Sequence, residues 1–193
     1  MNTIAESKTR FIELLNSVKR KGIDRLIEWI QGTDFFTAPA STRFHGAYEG
    51  GLVEHSLNVY DAYIRLFGDN EESTESITLR TLLHDLCKSG FYITEMRNRK
   101  NEQGKWEQAP FYTIDDKFPY GHGEKSVFMI ERFIRLTTNE ALAVRWHMGG
   151  FDESTRGGSY AQSNAYDMCP FAVKLHMADL YASYLMEERG VKK

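Results

Sequence analysis

Six residues of this 193-residue chain have the types and spacing to hold metal together: His55, His84, Asp85, His122, His147 and Asp179. His84 and Asp85 are adjacent, in the run Leu82-Leu83-His84-Asp85-Leu86-Cys87-Lys88. Burying an imidazole and a carboxylate inside an apolar helical pattern is costly unless a partner satisfies them, and a metal ion does so well. Imidazole plus carboxylate suits Mn, Fe, Co, Ni or Zn better than Mg or Ca, which favour all-oxygen surroundings. A hydrolytic site draws ligands from several elements, so that an ion is caged on one side and open to water on the other. His55, His84, Asp85 and Asp179 make one such set. His122 and His147, with Asp85 bridging, make a second. Two ions about 3.5–4 Å apart polarise a phosphate and generate hydroxide between them. Lys88, one helical turn beyond His84, is placed to contact a phosphoryl oxygen. Plainer readings stand beside these: His55 as a core histidine held by one hydrogen bond, and Lys88 as a surface lysine near a helix C-terminus.

Helices must do most of the positioning. Apolar residues recur at helical spacing from Ser7 to Ile30, and Gly22 breaks or kinks that stretch. A clearer helix is predicted from Leu52 to Phe67, where His55 is the polar exception on a buried stripe with Leu52, Val59, Ala62 and Leu66. The next runs from Thr74 to Lys88 and carries His84 and Asp85. Side chains of adjacent helical residues point about 100° apart, yet both can reach one ion set against that side. Between Phe91 and Ile114 the period changes to that of strands, giving a β-hairpin around Asn101-Glu102-Gln103-Gly104 with an irregular arm at Pro110. Its Arg97, Arg99, Lys100 and Lys105 read either as a solvated tip or as a rim whose cations meet phosphate. Arg97, Arg99 and His45 are therefore candidate substrate contacts. His45 also reads as a loop histidine capping local backbone.

Gly121-His122-Gly123 opens a helix predicted to Leu136, and the small neighbours let backbone approach the site closely. Another helix, from Asn139 to Met148, ends near His147. The Gly- and Ser-rich stretch from Gly150 to Asn164 reads as a mobile loop. The last helix runs from Pro170 to Glu188 and aligns Ala172, His176, Asp179 and Ser183 on one stripe. His176 reads as a support for the site or as core. The expectation is a single all-α domain over residues 1–193, with a helical extension at about 1–38 and a β-hairpin insertion at about 91–114.

The net charge of -3 and a pI near 6.1 give no global basic field, which argues against strong sequence-independent nucleic-acid binding. Cys87 and Cys169 read as free thiols of a reducing cytosol. Residues Met1 to Arg10 lack the apolar block of a signal peptide, and no apolar run approaches the roughly 20 residues of a membrane span. A cytoplasmic location away from membranes is expected. There is no P-loop or dinucleotide loop, and no serine or cysteine nucleophile motif stands out.

The order His55, His84-Asp85, His122, His147, Asp179 resembles the HD-domain metal-dependent phosphohydrolase superfamily, in its subset with two extra histidines before the final aspartate. His84-Asp85-Leu86-Cys87-Lys88 resembles that family's His-Asp-x-x-Lys segment. The stretch from Phe44 to Leu57 is similar to the opening of the HD domain in bacterial 3′-to-5′ exoribonucleases. Pro119 to Ser126 is similar to a segment of small HD proteins of bacteria and phages. The likeness spans about residues 39 to 185. It implies a helical bundle holding one or two divalent ions, which hydrolyses a phosphomonoester or phosphodiester, commonly in a nucleotide. In that scheme Asp85 bridges the ions, His55, His84 and Asp179 hold one, and His122 and His147 hold the other or orient substrate. Lys88 neutralises charge growing on the phosphoryl oxygens. The exoribonucleases carry an OB domain ahead of the HD domain, whereas the residues ahead of Pro39 here read as helix. A small phosphorylated substrate is therefore favoured. The alternatives are a 3′-to-5′ exonuclease on single-stranded nucleic acid and a non-catalytic, metal-containing binding module. The apolar N-terminal helix is free to pack on its own core or on a partner, so an oligomer stays open.

Overall fold

Apolar residues three and four apart fold the N-terminal stretch into two helices rather than one. The computed structural model describes residues 3–68 and 72–187. Helix α1 (Ile4–Asn16) starts at Thr3, whose hydroxyl accepts the Glu6 N–H while the Glu6 carboxylate accepts the Thr3 N–H. Helix α2 (Ile23–Gln31) starts only after Gly22, whose φ of 98° turns the chain. The helical stretch expected from Ser7 to Ile30 is thus two helices, with the break at Gly22 that the sequence suggested. Phe11, Leu15, Leu26 and Ile30 bury into the same cluster as Leu52, Leu57, Leu79 and Leu83. These two helices therefore pack on the chain's own core.

The bundle around the site is built from α3 (Gly51–Phe67), α4 (Thr74–Leu83), α5 (His122–Glu131), α6 (Thr138–Trp146) and, later in the chain, a long helix Pro170–Tyr181. Helix α3 packs on α4 and on Pro170–Tyr181, which in turn packs on α6, and α6 packs on α5. A second apolar cluster joins Val59, Ala62 and Tyr63 to Ala143, Ala172, Leu175 and Ala178. Its many alanines allow the close approach of those helices.

The helix expected to run to Lys88 ends earlier, at Leu83. His84 caps it, Asp85 takes φ -102° and ψ 20°, and a 3₁₀ turn follows from Leu86 to Lys88. Asp85 thus lies near the sparsely allowed bridge region where active-site residues recur. Helix α5 likewise stops at Glu131, short of Leu136, and α6 stops at Trp146, so that His147 is its cap.

Strands β1 (Tyr92–Lys100) and β2 (Trp106–Ile114) pair antiparallel from Tyr92 opposite Ile114 to Lys100 opposite Trp106. No irregular arm occurs at Pro110, which sits in register opposite Met96. In a two-stranded ribbon both strands are edges, so a residue without an N–H costs nothing when that side faces solvent. The stretch expected to be a loop from Gly150 to Asn164 instead carries a 3₁₀ turn (Gly149–Phe151), α7 (Glu153–Arg156) and the start of α8 (Ala161–Met168). Asp152 starts α7 by accepting the Ser154 N–H. The long helix Pro170–Tyr181, α9, then gives way to a π-helical turn from Ala182 to Met186. The predicted end at Glu188 lies outside the described residues. Among the described residues no helix is long and apolar enough to cross a membrane.

Candidate metal centre

Helix endings put two histidines into the interior by the same device. At the C-terminus of α4 the His84 Nδ1–H donates to the Thr81 carbonyl at 2.8 Å. At the C-terminus of α6 the His147 Nδ1–H donates to the Val144 carbonyl at 2.7 Å. Each ring satisfies a carbonyl that the ending helix leaves free. Each is thereby fixed with its proton on Nδ1, because a carbonyl only accepts, and Nε2 is left as a lone pair. Both side chains are wholly buried.

The other four residues close around these nitrogens. His55, one turn into α3, brings its Nε2 within 3.2 Å of His84 Nε2 and 3.3 Å of Asp179 Oδ1. Asp85 faces two ways. Its Oδ2 is 3.5 Å from both His55 Nε2 and His84 Nε2, and its Oδ1 is 2.8 Å from His122 Nε2 and 3.6 Å from His147 Nε2. The His84 and His147 ring centres are 4.8 Å apart and those of His122 and His147 5.1 Å. All six predicted ligands are therefore in one cluster. Asp179 stands close to His147 as well as to His84, so the structure draws no sharp line between the two sets the sequence suggested.

The donor set fits a metal ion. His147 Nε2 is buried and has no hydrogen-bond partner among the described residues. A lone pair in that position calls for a cation or a donor. Groups of three donors within 4.8 Å of one another recur across the cluster, as in His55, His84 and Asp85, or His84, His147 and Asp179. The side chains of His122 and Asp179 are 26% and 15% exposed, whereas those of His55, His84 and His147 are 1% or less. The cage is closed on the α3–α4 side and open past His122.

Electrostatics divide the histidines. Burial pushes the His84 imidazole down to about 3, so it stays neutral. Burial also opposes charge on His55 and His122. At His55 the Glu187 and Asp179 carboxylates outweigh it and hold the pKa up at about 10. At His122 it is outweighed by Cys87 and Asp85, again at about 10. Asp85 is buried, which disfavours its charge, yet Lys88, His84 and His122 keep its pKa well below the usual carboxylate range. Lys88 Nζ sits 2.6 Å from Asp85 Oδ2 and is 12% exposed.

The remaining predicted residues fall into two groups. His45 belongs to the rim, with its ring 4.6 Å from that of His55. His176 donates from Nδ1 to the His147 carbonyl at 2.6 Å, a support role. Its ring also occupies the space a Cβ would need at Gly149, where φ is +54°. Arg97 and Arg99 stand outside the cluster. They are exposed on the hairpin and satisfied there, Arg97 by Glu95 and Thr113 and Arg99 by Glu107. Carboxylates of the hairpin itself thus meet the cations assigned to phosphate.

Two residues were missed. Glu187 accepts from His45 Nδ1 at 2.8 Å, from His55 Nδ1 at 2.9 Å and from Asn58 Nδ2 at 3.1 Å. A signal existed: the stripe Ala172, His176, Asp179, Ser183 continues at a spacing of four to Glu187. Cys87, read as a plain buried thiol, lies with Sγ 3.3 Å from His122 Nδ1.

No family model matches the chain, and no solved structure matches it. Over 84 residues the chain is 31% identical to a curated protein of Methanocaldococcus jannaschii, a dihydroneopterin 2′,3′-cyclic phosphate phosphodiesterase. The match takes in 40% of this chain and 31% of the relative, so the chain covers about a third of that protein's length. The chain is thus similar in part to a phosphodiesterase, and it carries a histidine–aspartate cluster able to hold metal.

Proposed function

We propose that the chain is an HD-type metal-dependent phosphohydrolase acting on a phosphoester of a small nucleotide-like molecule, with a cyclic phosphodiester as the first candidate. The observation that carries this reading is the two-faced placement of Asp85, one oxygen toward His55 and His84 and the other toward His122 and His147. A carboxylate so placed would offer one oxygen to each of the two donor sets. Partial likeness to a cyclic phosphate phosphodiesterase supports the same chemistry.

In this reading His55, His84, Asp85 and Asp179 would hold one divalent transition ion, and Asp85, His122 and His147 would hold a second. Such an ion supplies Lewis acidity to a phosphoryl oxygen and lowers the pKa of water. The chain's own groups do the rest. His84 and His147, locked by backbone carbonyls, need no reorientation to ligate. Lys88, tethered to Asp85 yet reaching solvent, donates to a non-bridging oxygen as charge grows there. His45 closes the rim beside His55 and contacts substrate. The water oxygen bonds to phosphorus, the ester P–O bond breaks, and the departing oxygen takes up the proton that the water gives up.

Elemental analysis of the chain beside its Asp85→Ala variant tests this, with hydrolysis of 2′,3′-cyclic nucleotides, nucleoside monophosphates and a labelled single-stranded oligonucleotide measured on the same samples. Loss of metal and of cyclic-ester cleavage together in the variant is expected. Cleavage retained in the variant rejects the proposal. Full metal with no cleavage of any ester indicates a binding module, and stepwise trimming of the oligonucleotide indicates an exonuclease.

A further inference from the structure

A cavity of about 410 Å³ adjoins the candidate metal centre, with His122 and Cys87 in its wall. That size falls within the range of small-molecule sites, roughly 300–1,000 Å³. Its charge is wrong for phosphate. Four carboxylates line it, Asp116, Glu124, Asp152 and Glu153, against two cations already paired with carboxylates, Lys125 with its Nζ 2.6 Å from Asp116 and His122 with its Nε2 2.8 Å from Asp85. Like charge repels an anionic group there. If phosphate sits at the histidine–aspartate cluster, the cavity is left for the uncharged part of the substrate.

The lining says what that part is. Phe91, Met148 and Phe151 provide apolar and aromatic surface of the kind that takes a flat ring. Glu124 provides an acceptor in want of a donor. Its Oε1 is paired with Arg145, which also binds Asp152 at 2.8 Å. Its Oε2 is covered by the protein and has no hydrogen-bond partner among the described residues, so it meets a ligand once the side chain, 33% exposed, turns toward the cavity. A buried acceptor of this kind is costly unless a ligand satisfies it.

We propose that this cavity seats the substrate's base, a flat bicyclic heterocycle bearing N–H donors, such as an amino-substituted purine, with Glu124 Oε2 accepting one of them. The assignment rests on the phosphohydrolase reading for the position of the phosphate, but it can be tested without turnover. Guanosine carries N–H donors on its base, and purine riboside carries none. Calorimetric titration of each nucleoside, neither with a phosphate, reads the cavity alone. Guanosine is expected to bind saturably and about tenfold or more tighter than purine riboside, as one charge-assisted hydrogen bond predicts. Glu124→Ala should erase that difference. Phe151→Ala, at a ring 47% exposed and so safe for folding, should weaken both nucleosides. No saturable binding of guanosine, equal affinity for the two nucleosides, or affinities unmoved in both variants overturns the assignment. Hydrolysis of bis(p-nitrophenyl) phosphate by the Mn-loaded chain reports separately on the phosphohydrolase reading, because that ester has no base. Nucleoside binding without that hydrolysis supports the cavity assignment and removes the hydrolase. Hydrolysis without nucleoside binding does the reverse.

Discussion

Glu187 Oε1 lies 2.9 Å from His55 Nδ1, so the other nitrogen of that ring is the one turned toward His84, Asp85 and Asp179. A carboxylate behind a ligating histidine fixes its tautomer and raises its basicity. The same carboxylate holds His45 with its second oxygen, and Asn58 steadies the first. The π-helical turn Ala182–Met186 delivers it there.

Removing that carboxylate should therefore weaken metal binding without emptying the core. Glu187→Ala is expected to lower metal affinity about 10–100-fold, the usual effect of losing such a partner. Glu187→Gln keeps an acceptor for the His55 N–H and should lose less. Competition with a chromogenic chelator measures both. Equal affinity with an unchanged count of released protons in all three proteins would mean that Glu187 serves only packing.

Gly123 sets how closely α5 approaches α6. A Cβ there would lie 2.1 Å from the Arg145 carbonyl oxygen, which is backbone and has little room to yield. Two effects oppose each other in Gly123→Ala. Helix propensity favours alanine by about 1 kcal/mol. Overpacking against backbone costs about 1–3 kcal/mol and shifts α5. The second should win, and because His122 is the neighbouring residue, metal should be lost with stability. Urea unfolding and metal content of the variant check this, and a variant more stable than the parent would refute it.

Much of the site was legible because histidine and aspartate are rare in apolar helical stripes, so His55, His84, Asp85 and His147 stood out against the leucines and valines around them. Helix periodicity could not show where the helices end. His84 and His147 each take a carbonyl of their own helix, a tertiary choice that competes with continuing the helix and leaves no mark in the spacing. Glu187 continues the stripe of Asp179 and Ser183 at a spacing of four, but a lone glutamate at the end of an expected helix does not by itself announce a partner for His45 and His55. Arg80, outside the candidate site, gives no such signal, because an arginine with Thr78 and Thr81 beside it on a helix reads as a solvated side chain. It is buried against Glu72 and donates to the Tyr63 hydroxyl at 2.8 Å, a charge network that only the tertiary fold reveals. The hairpin was recognisable from strand residues flanking the turn Asn101-Glu102-Gln103-Gly104. The pairing of Arg97 and Arg99 within it depends on register, which sequence alone did not supply.

Glu140 predicts an acid-sensitive step in stability. Burial alone would raise its pKa, but Arg20 at 2.6 and 2.7 Å, Ser76 and the Thr137 N–H outweigh that and hold it at about 2. The folded pKa is thus below the ordinary value of 4.5. The stabilisation is present in full above about pH 4.5 and is lost as pH falls toward 2. A shift of this size corresponds to about 3 kcal/mol. Denaturant midpoints taken between pH 5 and pH 2 should therefore fall more steeply in the parent chain than in Glu140→Gln. Parallel curves would show that the Arg20 pair adds nothing net.

Metal loading should release protons, and the histidines say how many. With a pKa of about 3, His84 is neutral at pH 7.5 and gives up none. His55 and His122, held at about 10, carry protons that a ligated imidazole cannot keep. Binding must expel them, so apparent affinity should rise with pH throughout the range below about 10. Calorimetry with Zn or Mn in two buffers of different ionisation enthalpy is expected to show about one proton released per ion, and about two when both sites fill. Glu187→Ala should reduce that count, because the Glu187 charge is a leading reason His55 stays protonated. Release of no protons, with affinity flat from pH 6 to 9, would mean that the ion does not ligate His55 and His122.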